Sequence, residues 1–83
     1  MDTVHTLTII STMNIATPVI RVFDGDKPEL AMQAVGEAIG RLCLGKPHEV
    51  IEPFQTVRGV CVGSAWLSDK MLMSLETSYV NRS

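Results

Sequence analysis

The sequence reads as one small α+β domain with element order ββαββα, in which two helices pack on one face of a mainly antiparallel sheet. Three observations predict this. β-Branched residues crowd into residues 4–12 and 17–23, an apolar stripe at helical period follows Asp26, and Gly25, Gly45 and Pro47 punctuate the segments between them. With 83 residues the chain is about half the length at which a second domain is expected, so residues 1–83 form a single domain.

The first segment, VHTLTIIST (4–12), alternates as a strand does, with Leu7 and Ile9 on one face and Val4, Thr6, Thr8 and Ile10 on the other. Met13 to Ala16 interrupt it. TPVIRVF (17–23) repeats the β-type composition, with Pro18 tolerated only near a strand start or on an edge, so a hairpin is expected. Asp24-Gly25-Asp26 breaks the second strand, and Asp26 followed by Glu29 resembles a capping box, with Pro28 in the first helical turn. A helix is therefore expected over about 27–44, ended by Gly45 and Pro47. Ala31, Val35, Ala38, Ile39 and Leu42 form its apolar stripe, Gln33, Glu37 and Arg41 the opposite side, and Glu37 and Arg41 are spaced for an ion pair.

Residues 48–51 read as a short strand cut by Glu52-Pro53, and residues 54–67 as one long central strand in which Gly59 and Gly63 mark a bulge or a close backbone approach. Ser68 then caps a second helix to about residue 80, with Leu72, Leu75 and Tyr79 as its buried edge. No internal repeat and no low-complexity segment interrupts this order.

Composition excludes several classes of function. Seven Lys+Arg against nine Asp+Glu, with charged residues at only 19%, argue against disorder and against an electrostatic grip on nucleic acid. The basic residues are dispersed, Arg21 and Arg58 on expected neighbouring strands being the nearest thing to a patch. Asp2 stands where a secretory leader would carry positive charge, no apolar run approaches the ~20 residues needed to cross a bilayer, and Cys43 and Cys61 lie in apolar segments, so reduced thiols and a cytoplasmic location are expected.

Chemistry-bearing constellations are scarce. Cys43 and His48 are near in sequence, but no flanking motif supplies an oxyanion hole or an orienting third group, and Cys61 between Val60 and Val62 is a core thiol. Metal-ligand spacing is missing, and Asp24-Gly25-Asp26 fails as a calcium loop because Val35 falls where a bidentate Glu is required. Nor do the glycines form a phosphate cradle. No catalytic residue, cofactor or metal is therefore expected.

Two features point to contacts instead. Gly36 and Gly40 lie in the helix at a cost of about 0.8–1 kcal/mol each, and with Met32 they make a flat strip that packs either on the domain's own sheet or on a partner. Met71 and Met73, read on a second helix, fall on different sides, leaving one for an adaptable binding surface. The 46% hydrophobic content exceeds what a chain this short readily hides. The expected function is a non-enzymatic protein–protein interaction module, a small regulatory or inhibitor protein of the kind viruses and mobile elements direct at host complexes, meeting a protein partner or forming a homodimer through Met32, Gly36, Gly40, Met71 and Met73. The alternative is a homo-oligomeric small-ligand binder or minor enzyme whose inter-subunit site uses Arg21, Arg58 or His48.

Overall fold

A computed structural model describes residues 2–12 and 18–80. Its elements are β1 (Asp2–Ser11), β2 (Val19–Asp24), α1 (Pro28–Cys43), β3 (Glu49–Val57), β4 (Val60–Ser68) and β5 (Met71–Val80). All five strands join one antiparallel sheet in the order β2-β1-β5-β4-β3. The first and last strands therefore lie side by side at its centre, paired from Asp2 with Val80 to Ser11 with Met71. The α+β class, the antiparallel sheet, the hairpin of β1 with β2 and the helix before Gly45 follow the expectation; the interruption expected at 13–16 lies outside the described residues.

The core lies between α1 and one face of the sheet. Ala31, Ala34, Val35 and Ala38 meet Leu7, Cys61, Leu67, Met73 and Leu75, and the small helix side chains let the helix axis approach the sheet closely. Register carries the alternation across the strands: Leu7 pairs with Leu75 and Ile9 with Met73 on the helix side. Thr6, Thr8, Ser64 and Ser74 fall on the other side, whose hydroxyl-rich centre suits an antiparallel face turned to water.

The expected second helix is a strand, so the order among the described residues is ββαβββ, with one helix. Ser68 Oγ accepts from the Lys70 N–H at 3.2 Å, which makes Ser68-Asp69-Lys70 the turn of a β4–β5 hairpin rather than a helix cap. Beyond that turn the side chains obey period two, with Met73 and Leu75 buried. Met71 and Met73 thus share a face, and Met73 is fully buried in the core.

The long strand expected at 54–67 is two strands. Arg58 and Gly59 both adopt positive φ, 52° and 78°, and form a two-residue turn whose twist matches the flanking strands, with Val57 facing Val60. Glu52-Pro53 does not cut a strand but produces register shifts within β3. Gly63 does mark a close approach: its φ is 151°, and a Cβ there would collide with the Phe54 ring and Cα. At the start of α1 the N-cap is Lys27 with no side-chain capping bond, so Asp26 and Glu29 do not form a capping box. Leu44 ends the helix in the left-handed region, and the Gly45 N–H reaches the Ile39 carbonyl at 3.0 Å.

Candidate interaction surfaces

The groups that could carry nucleophilic chemistry do not converge. Cys43 Sγ donates to the Ile39 carbonyl of its own helix at 3.2 Å, while His48 is an exposed residue between α1 and β3. Cys61 is fully buried with its Sγ 3.3 Å from Thr56 Oγ1. Both thiols are free. The other histidine, His5, is wholly buried on the helix-facing side of β1. Its Nε2 donates to the Gly25 carbonyl at 3.0 Å and its Nδ1 lies 2.8 Å from Thr77 Oγ1. Thr77 Oγ1 also accepts from the Cys61 N–H at 2.7 Å and reaches the Cys61 carbonyl at 3.1 Å. The network ties β1, β4, β5 and the turn after β2 together through satisfied polar groups around a wholly buried imidazole, which makes it a latch. Alternation alone could have found it, because His5 precedes the core residue Leu7 by two.

Arg21, Arg58 and His48 are not assembled in one chain. Arg21 is on β2 and Arg58 in the β3–β4 turn, at opposite edges of the sheet, so the expected neighbourhood of these two guanidiniums is incorrect. Glu37 Oε1 accepts from Gln33 Nε2 at 3.3 Å rather than pairing with Arg41. At the turn after β2 an open concavity of about 630 Å³ is bordered by Asp2, Asp24 and Asp26. Among the described residues no His, Cys, Asp or Glu side chains group as metal ligands.

The contact residues expected from sequence separate into two sets. Met71 and Met73 belong to the core side, and Met32 packs against that core while half-buried. Gly36 and Gly40 are exposed, and a Cβ at either would meet nothing within 4 Å. The strip they form does not pack on the domain's own sheet.

The apolar exposure of the β2 edge was missed because it lies on a strand read only as half of a hairpin. In β2, Val19, Ile20 and Val22 are each more than half exposed, and every residue but the half-buried Phe23 is open to solvent. Helix α1 leaves a groove beside this strand, a cavity of about 240 Å³ lined by Arg21, Phe23, Leu30, Gln33, Ala34 and Glu37. The Arg21 guanidinium lies over the Phe23 ring, 5.1 Å from its centroid, at the mouth of the groove. The signal in the sequence was VIRVFD itself, apolar at alternate and at adjacent positions, which in a two-sided strand at a sheet edge leaves side chains uncovered on both faces. No helix among the described residues is long and apolar enough to cross a membrane. No protein-family model, no curated protein and no solved structure matches the chain.

Proposed function

We propose that this protein is a non-enzymatic protein–protein interaction module, acting as a small regulatory or inhibitor protein by occupying a partner's surface. One observation carries the reading: β2 presents Val19, Ile20 and Val22 to solvent on a regular strand at the sheet edge, beside an open groove under α1. Burying apolar area stabilises a complex by roughly 25 cal/mol per Å², and a strand edge adds a row of backbone donors and acceptors that another chain can satisfy. The dispersed chemistry supports the same reading, because His5 and Cys61 serve the core and Cys43 serves its own helix.

Sedimentation velocity on the purified chain at micromolar concentration, with an exposed-hydrophobe dye assay alongside, tests it. Species above the monomer, or a monomer that binds the dye and takes up a co-purifying protein, are the expected results. A monomer that binds neither dye nor protein sinks the reading.

A further inference from the structure

We infer that β2 pairs with the same strand of a second copy of this chain, antiparallel and centred on Val22, joining the two five-stranded sheets across a two-fold axis. The inference rests on β2 being the interaction surface and names its partner.

The backbone supplies the first argument. β2 pairs with β1 from Val19 opposite Ile9 to Asp24 opposite Val4 without a register shift, and no proline lies within it. Its outward N–H and C=O groups therefore form a regular row that a straight strand can meet along its length. The opposite edge does not offer this, because β3 is bulged on both sides of Glu52 and Pro53 removes a donor. A molecule with one open edge can add one neighbour, and the arrangement in which both copies use that edge is a closed two-fold pair.

Register is the second argument. A two-fold axis normal to the sheet sets one residue opposite itself. Centring on Arg21 would oppose two guanidiniums, which is unfavourable for directly facing like charges. Centring on Phe23 would shorten the overlap and leave Arg21 opposite the partner's Gly25. Centring on Val22 sets Val22 against the partner's Val22 and Arg21 against the partner's Phe23. Arg21 already lies over its own Phe23, so the pairing gives each guanidinium a second ring face.

Size fixes the strength. A six-residue strand is about 20 Å long, and the molecule's smallest extent is 19 Å. The edge therefore covers about 400 Å² per copy, or about 800 Å² in total, less than the ~1,000 Å² that a stable interface clears and in the range of weak, transient contacts. The dimer is therefore a weak, dissociable one.

Sedimentation equilibrium from about 5 to about 500 μM, the range over which a weak dimer dissociates, should show a monomer–dimer equilibrium for the natural chain. Val22→Lys should be monomeric throughout with unchanged circular dichroism and melting, since Val22 is 61% exposed and supports no core contact. In a Cys43→Ser background, Val22→Cys should form a disulfide-linked dimer under mild oxidation, and Ile20→Cys should not, because its two copies would stand about 13 Å apart along the strands. A dimer that survives Val22→Lys, or that cross-links at Ile20 instead of Val22, overturns the pairing and leaves the interaction reading standing on another surface. A natural chain monomeric at every concentration overturns the pairing, and one that also binds no dye overturns both.

Discussion

The two edges of the sheet expose similar apolar side chains and differ in their backbones. Along β3, Val50, Ile51 and Val57 are 50, 56 and 53% exposed, against 54, 58 and 61% for Val19, Ile20 and Val22 along β2. Side-chain exposure alone does not separate them. β3 carries two register shifts, a proline and the carboxylates of Glu49 and Glu52, whereas β2 is regular, without proline, and carries Arg21 and Asp24. Bulges, proline and charge are the devices by which natural sheets keep an edge from pairing. An edge without bulge or proline, in a molecule whose other edge has both, is the one on which the proposed pairing is placed.

Each side of the sheet is also held by a different device, and the largest predicted effect tests the β3 side. Gly63→Val sets a branched side chain at φ 151° against the Phe54 ring and Cα, where the backbone cannot step aside cheaply. Urea denaturation should show a loss of about 3 kcal/mol or more; an unchanged midpoint would show that Phe54 does not hold β3 to β4 in this way. On the β2 side the latch is His5. His5→Ala leaves the Gly25 carbonyl without its donor and a cavity in the core, and should cost about 2–4 kcal/mol. Hydrogen exchange should then speed up at the Lys27 N–H, which donates to the Asp24 carbonyl in the adjoining turn. Protection that stays at the natural level would remove His5 as the clasp of that turn.

A smaller gain is expected on the outer face of α1. Because Gly40 is exposed and its missing Cβ has open space around it, Gly40→Ala should stabilise the chain by about 0.8–1 kcal/mol. A fall in melting temperature would show that this face is packed against something. The smallest effect on stability, within about 0.5 kcal/mol, belongs to the double variant Glu52→Thr with Pro53→Thr. It removes edge protection from β3, so light scattering should detect species larger than a dimer, growing with concentration. A distribution like that of the natural chain would show that the bulges alone close this edge.

The parts of the fold legible in the sequence were those whose signals are local. The alternation in β1 set Leu7 and Ile9 together on one face, which is the core side, and the stripe through Ala31, Val35 and Ala38 located α1 and its buried face. Residues 71–80 were misread because Leu72, Leu75 and Tyr79 satisfy a helical spacing while Met71, Met73 and Leu75 satisfy a strand spacing, and a ten-residue apolar segment carries both. The Arg58-Gly59 turn stayed hidden because Arg is not a turn former by composition and adopts positive φ only under the demand of the hairpin.

By itself the sequence determined the α+β class, the first hairpin and the helix before Gly45 with its alanine-rich inner face, because each depends on neighbours within a few positions. The tertiary structure alone decided the last strand, the strand order, the burial of His5 and Met73, and the turning of Gly36 and Gly40 to solvent. Pairing β5 with β1 joins residues as distant as Asp2 and Val80, and once that pairing is made the only places left for β2 and β3 are the two edges. Which edge remains open is then set by where the bulges fall. That depends on how Phe54 of β3 fits over Gly63 of β4, a contact between strands that no local pattern in the chain records.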